Sequence, residues 1–434
     1  MKRNLNKNLI YVMALCAMTY SCKRTNVTEV RPISSTYQDS TKVLMIEDKY
    51  PCIKLITDNV VHLQAKGKDE TQPNGLIQNG APLAMKYRYL PLETTDECLI
   101  GNIEQLDSDD SSIFVFDRDN HSALRFSLED GSFLCKYGSL GRGPGEYISL
   151  NHMAIDKKNK EVCLLDFTQY KLMYFDYDGK FLREEPQFYA YSSMEFCGKN
   201  IVLHTGQSNN DMAPSINFSR LILANMNQTP LFRGFPYSEH LYDQFGYTVS
   251  TPLIKCKDDL YYIYELSDTI WQIREDGICE AKYVFKFPGR DNLFDEKDFQ
   301  QLTTAEYKEK KKDIPASAGD ITITDNFIRA AILNGQPMIY CISTGNYYYG
   351  LSNSFVFGIH TSFEGKFTLD GTSFVDVLEP FNLLQPYSFA KKNFNAVQYN
   401  YYWNNQLTEE ERQLLQKMTP EDNPILMIID IEPF

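Results

Sequence analysis

The sequence predicts an all-β protein: a six-bladed β-propeller with blades of four antiparallel strands, closed by N- and C-terminal strands in one blade, with minor helical insertions. Three observations lead there. One strand-turn-strand pattern recurs along the chain. Each copy is built of short runs rich in Val, Ile, Tyr and Phe, broken by Gly, Asn and Asp. Strand-like runs left over at the two ends supply one further blade.

The clearest copies are SIFVFDRDNHSALRFSLEDGSFL (112–134) and EVCLLDFTQYKLMYFDYDGKFL (161–182). Asp117 and Asp166, which close equivalent runs, lie 49 residues apart. LYYIYELSDTIWQIREDGICEAKYVFKF (260–287) places Glu265 another 99 residues on, so a copy belongs between them. MEFCGKNIVLHTG with SRLILANM (194–226) fills that gap, and ITITDNFIRAAILNGQPMIYCISTGNYYYG (321–350) supplies a fifth copy. Alternating β-formers between turn residues are the hairpin signature. Four strands in roughly 45–50 residues is a propeller-blade period. A TIM barrel would need a helix after each strand, and helical periodicity is nearly absent.

The sixth blade is expected to mix both ends of the chain: MKYRYLPLE (85–93), SFVDVLEP (373–380) and PILMIIDI (424–431) all read as strands. Such closure removes unpaired sheet edges. Helical insertions are expected within 292–313 and over 407–418, where Thr408 and Glu411 form a capping-box pattern. Segment 41–84 is ambiguous, with a strand-like piece (42–46) and a polar loop (66–75).

The N-terminus reads as an address. Lys2, Arg3 and Lys7 precede the apolar run Leu9–Ala17, and Ser21-Cys22 follows. The run is too short to span a bilayer core, which takes roughly 20 apolar residues, and fits a cleaved signal over 1–21. A small residue before Cys22 just past the apolar run has the pattern of a bacterial lipobox, in which Cys22 becomes the lipidated first residue. Polar residues 22–40 then form a flexible tether. Domain organisation is thus signal 1–21, lipidated tether 22–40, an uncertain segment 41–84, and propeller 85–434.

The net charge of −14 argues against a nucleic-acid partner, because affinity for phosphates rests on cations. Ten cysteines are present. Apart from Cys16 and Cys22, they form no C-x-x-C pair, and several lie inside apolar runs. They read as buried free thiols.

Gly141-Arg-Gly-Pro-Gly-Glu146 resembles a phosphate loop in composition only, since no helix follows and Pro144 removes a donor. A blade-to-blade crossover, with Glu146 tying the turn, is the expected use. Arg142 stays a candidate for an anionic ligand at the channel mouth. Asp117, Asp166 and Glu265 are either a weak metal-binding ring or local acceptors of backbone N–H groups, and the second is expected. His152 and His204 are placed near the axis in neighbouring blades. The cluster Tyr399, Tyr401, Tyr402 and Trp403 is the expected exposed patch for a protein or carbohydrate partner, and Tyr347–Tyr349 reads as packing. No metal-ligand spacing, cofactor motif or nucleophile elbow occurs.

GSLGRGPGEYISLNHMAID (138–156), followed by a strand, Asp166, a strand and DGKFL, is similar to six-bladed β-propeller lipoproteins of Gram-negative bacteria, which are related to NHL-repeat propellers. YLPLETTDECLIGNIEQLD (89–107) and EDNPILMIIDI (421–431) resemble that family's usual beginning and ending. The resemblance covers about residues 85–431. It implies the fold and brings no catalytic residues. The function expected is a non-enzymatic ligand- or protein-binding module without cofactor, lipid-anchored at the outer membrane and facing the periplasm. The alternative is a hydrolase- or lyase-type enzyme with its site at the channel mouth.

Overall fold

The computed structural model describes residues 50–65, 83–206, 208, 210–237, 251–264, 267–287, 316–333, 337–350 and 353–434. Six four-stranded antiparallel units follow one another. Blade 1 holds Ile103–Ser108, Ser112–Asp117, Ser122–Ser127 and Phe133–Lys136. Blade 2 holds Leu150–Asp156, Glu161–Asp166, Lys171–Asp176 and Phe181–Pro186. Blade 3 runs from Ser193 to Pro236, blade 4 from Leu253 to Lys286, and blade 5 from Ala316 to Tyr349. Blade 6 is ordered Phe367–Leu369, Ser373–Leu378, Ile425–Ile431, Met85–Pro91, so the two ends of the chain do close the ring together. The first strand of each blade neighbours the first strand of the next, and that of blade 6 returns to blade 1.

Alternation explains why the blades stack. Successive side chains of a strand point to opposite faces. In Ser112–Asp117, Ile113 and Val115 pack against Val375, Leu426 and Ile428 of blade 6. Phe114 and Phe116, one step out of phase, pack against Met153, Val162 and Leu164 of blade 2. Each such aromatic, fully enclosed, stabilises by roughly 2–3 kcal/mol relative to exposure. The outer hairpins reuse an Asp-Gly turn. Gly131 sits at φ +76°, and a Cβ there would lie 2.0 Å from the carbonyl oxygen of Pro91, so both conformation and the approach of blade 6 demand glycine.

Two features depart from the expectation. Part of the ambiguous segment 41–84 is sheet: Lys54–Ile56 and Val61–Gln64 pair in parallel with the outer strand of blade 4, Ile278–Lys286. Tyr347 and Tyr349 stitch this addition down, donating hydroxyl bonds to the carbonyls of His62 (2.9 Å) and Gln64 (2.6 Å). The insertion of blade 6 is also larger than expected. It comprises α1 (Pro380–Asn393), α2 (Ala396–Tyr401) continuing into a π-turn, and α3 (Glu409–Lys417). The capping box foreseen at Thr408 and Glu411 is present at the start of α3. No described helix is long and apolar enough to cross a membrane. The signal, Cys22, the tether, the pieces 42–46 and 66–75, the insertion 292–313 and Glu265 lie outside the described residues.

All eight cysteines among the described residues are free thiols; Cys52 is exposed and Cys135 half-buried, the rest buried. The Gly141–Glu146 crossover forms as its sequence implies. The Gly143 N–H donates to Glu146 Oε2 at 2.7 Å, and Gly138 and Gly145 adopt positive φ.

Candidate functional site

Antiparallel order fixes two faces of the ring. Blade-to-blade crossovers and the hairpins between second and third strands share one face. The hairpins between first and second strands share the other. A small cavity of about 120 Å³ follows the axis, lined by first strands from every blade.

Charged side chains from four blades close its hairpin end. Lys157 of blade 2 lies 3.3 Å from Asp107 of blade 1 and 2.5 Å from Asp370 of blade 6. Lys255 of blade 4 lies 3.2 Å from Asp107 and donates to the Ile155 carbonyl at 3.0 Å. It also lies 3.6 Å from Glu195 of blade 3, deeper in the channel. Burial opposes ionisation of Asp107, but Lys255 and Lys157 outweigh it and hold the carboxyl below the usual range. Burial likewise opposes the charge of Lys255, yet Asp107 and Glu195 keep its pKa well above the ordinary value. Glu195 receives less compensation, and burial lifts it to about 7.

Below this lies His152, whose tautomer the contacts fix. Gln105 Oε1 accepts the Met153 N–H at 2.8 Å, which orients the amide so that Nε2 of Gln105 faces His152 Nδ1 at 2.9 Å. The imidazole therefore accepts at Nδ1 and donates from Nε2 to the Met194 carbonyl at 2.7 Å. Burial pushes its pKa down to about 4, with Lys255 adding to the effect and the Met194 bond opposing it. At neutral pH the ring is uncharged, so its 3.9 Å approach to Glu195 is no ion pair.

A larger cleft, about 430 Å³, opens on the crossover face beneath α1. Its walls are the lead-ins to blades 1 and 6, the hairpin Asn353–Val356/Ile359–Ser362, and the end of Ser373–Leu378. Ile103, Ile359, Phe367, Leu378 and Met427 give it an apolar lining. Asn102, Thr361, Glu364, Lys366, Asp376, Glu379 and Asn382 supply the polar groups. Asp376 is buried and accepts the N–H groups of Glu364 (3.0 Å) and Gly365 (2.5 Å). Burial still raises its pKa to about 6.

The residues singled out from sequence scatter across these places. Arg142 is exposed in the crossover between blades 1 and 2 and lines neither cavity. His152 reaches the axis. His204, at the end of the second strand of blade 3, packs its ring 5.7 Å from Tyr262 of blade 4, so the two histidines serve different neighbours. Asp117 accepts backbone N–H groups from Gly101, Asn102 and Asp119, and Asp166 from Ile148, Thr168 and Gln169. Each is a buried latch on its own blade's lead-in, and Asp376 does the same in blade 6. Among the described residues no cluster could hold a metal ion. The aromatic cluster is split. Tyr401 is exposed, Tyr399 stacks on Trp403 at 6.0 Å and both are half-buried, and Tyr402 is core rather than patch, 4% exposed.

Sequence reasoning missed the channel charges. Asp107, Lys157, Glu195, Lys255 and Asp370 come from five blades and form no local motif. The one signal was a charge inside an otherwise apolar first strand, as in Met194-Glu195-Phe196 and Ile254-Lys255-Cys256.

Six four-stranded blades around a charged axial channel define the chain as a β-propeller protein. Within that class it belongs to the family described as a domain of unknown function, DUF4934, whose pattern matches residues 72–430. No curated protein matches it. Among solved structures it is similar to the Bacteroides fragilis protein BF0058, whose name presumes export. Identity is 16%, covering 86% of this chain and 99% of that one, with a TM-score of 0.62. A DUF4221-family member from Bacteroides vulgatus aligns at 9% identity over 81% of this chain and 98% of its own, with a TM-score of 0.44.

Proposed function

We propose that the chain is an exported lipoprotein, anchored through Cys22 at the outer membrane and facing the periplasm, that binds a ligand without transforming it. The basic and apolar leader, the small residue before Cys22 and the polar stretch after it support the anchor. The name of BF0058 agrees with export.

One observation carries the non-enzymatic reading: the charges that close the hairpin end of the channel are committed to one another. An acid-base pair for catalysis must reach a substrate atom. Here Lys157 and Lys255 bridge Asp107, Asp370 and Glu195, and His152 is held at both ring nitrogens. The cleft under α1 is the binding site, with a volume in the range of small-molecule pockets, roughly 300–1,000 Å³. Its carboxylates outnumber Lys366, so it takes a neutral, hydroxyl-rich or amine-bearing ligand, such as a short carbohydrate.

Thermal-shift measurements with neutral oligosaccharides, polyamines and polyanions test this. Neutral or amine-bearing compounds should raise Tm, and Asn382→Trp, which fills the cleft from α1, should abolish the rise. A panel without a hit, a preference for polyanions, or shifts that survive Asn382→Trp would sink the reading.

A further inference from the structure

The insertion of blade 6 carries a second surface, apart from the cleft. Residues 380–407 contain Lys391 and Lys392 and not one Asp or Glu, in a chain with 57 acidic residues. The same segment holds every exposed phenylalanine among the described residues: Phe381 (56%), Phe389 (60%) and Phe394 (37%). Val397 (79%) and Tyr401 (58%) follow one turn apart on α2. Phe389 and Phe394 touch edge to face at 6.1 Å, tying the α1 and α2 parts of the patch together. Leu383 and Ala390 bury the opposite side of α1, so the exposed aromatics are surplus to packing.

We propose that this patch docks on an anionic lipid surface. Between Glu379 and Glu409 the segment combines apolar and aromatic side chains with two lysines and no acid of its own, which is the chemistry of helices that lie in a membrane interface. Each lysine near an anionic leaflet adds about fivefold in affinity. A second copy fits poorly, because it would bring four lysines into one seam with no acid from residues 380–407 to meet them. Aromatic side chains also suit a protein partner, but a pair of adjacent lysines, a residue type depleted at protein interfaces, favours an anionic leaflet. The inference needs neither the cleft nor the lipid anchor, although an anchor would raise the local concentration of the patch at the bilayer.

The test uses the mature chain, residues 22–434 with Cys22→Ser, so that neither an acyl group nor the apolar leader contributes, and vesicles of phosphatidylethanolamine with one-quarter phosphatidylglycerol. The protein should co-sediment with them and not with pure phosphatidylcholine. Trp403 is half-buried against Tyr399, whereas Trp271 is enclosed, so a blue shift in emission should report contact at the patch. Lys391→Glu with Lys392→Glu, and separately Phe389→Ser with Val397→Ser, should each weaken binding about tenfold or more. These side chains are exposed, so Tm should stay unchanged. Absence of vesicle binding, binding equal on neutral lipid, or binding that both double variants retain would overturn the proposal. So would a wild-type dimer in sedimentation that the same substitutions dissociate.

Discussion

At mildly acid pH His152 and Glu195 together hold one proton, and folding moves it from the imidazole to the carboxyl. Near pH 5.5 in the unfolded chain, the carboxylate is ionised and the imidazole is largely charged. In the folded chain Glu195, raised to about 7, holds the proton, and His152, lowered to about 4, does not. The signs follow from linkage. A histidine with a depressed pKa contributes stability that is present above about 6.5 and lost as pH falls toward 4. A glutamate with a raised pKa contributes stability that is present below about 4.5 and lost as pH rises toward 7. In the wild type the two slopes offset. His152→Gln should therefore lose stability relative to wild type as pH rises from 4 to 6.5, by up to about 1.4 kcal/mol per pH unit. Glu195→Gln should gain by a similar slope between 4.5 and 7. Urea titrations across this range check it, and parallel lines for both variants would show that neither group is held in the state described. Other residue-scale features were readable in advance. Asp117 and Asp166 recur because each latches the lead-in of its own blade, and that contact is local. The Lys157–Asp107–Lys255 chain was unreadable because its members meet only when the ring shuts.

At the scale of elements, legibility tracked how local the determinants are. The strands of blades 1 and 2 were plain, since alternation and Asp-Gly turns act within a hairpin. The start of α3 was plain because Thr408 and Glu411 form a local box. Helix α1 was not, because Pro386 stands inside it and no local capping box marks its start. The pair Lys54–Ile56 and Val61–Gln64 could not be foreseen, since its partner lies more than 200 residues on. Glu411 shows how an insertion is tied to its blade. Buried at 2% exposure, it accepts the Tyr89 hydroxyl and the Phe357 N–H on Oε1, and the Thr408 N–H on Oε2, each at 2.8 Å. One carboxylate thus joins α3, the hairpin of the blade 5–6 crossover and the last strand of blade 6. Glu411→Ala should cost about 3 kcal/mol, because two buried donors, the Tyr89 hydroxyl and the Phe357 N–H, are orphaned and the reciprocal cap with Thr408 is lost. Thr408→Ala removes only the cap and should cost about 1 kcal/mol. Hydrogen exchange at the Phe357 amide should quicken in the first variant and hold in the second; equal protection in both would remove Glu411 from this role.

Over the whole molecule, closure decides whether the blades act as one unit. Ile425–Ile431 is an inner member of blade 6, paired on one side with Ser373–Leu378 and on the other with Met85–Pro91. The only covalent path between those two neighbours runs around the entire ring. Asn423 guards the joint. Its Oδ1 accepts the Ile100 N–H at 2.8 Å, and its Nδ2 donates to the carbonyls of Glu93 (2.6 Å) and Cys98 (2.8 Å), while its own N–H reaches Thr94. The residue is 3% exposed, so water cannot replace these bonds. Asn423→Ala should cost about 2–4 kcal/mol by stranding one donor and two acceptors, with the urea m-value unchanged because the same surface still unfolds. Ending the chain after Asn423 should do more. Met85–Pro91 then loses its only sheet partner, and Ser373–Leu378 keeps just one. Blades 5 and 1 would present apolar faces, including Met427 and Ile429 contacts on one side and Leu426 and Ile428 contacts on the other, to water. The truncated chain should show no single cooperative transition and should bind hydrophobic dye before denaturant is added. A truncated protein that unfolds in one sharp step near the wild-type midpoint would mean that blade 6 is dispensable and that the ring is not what makes the fold cooperative.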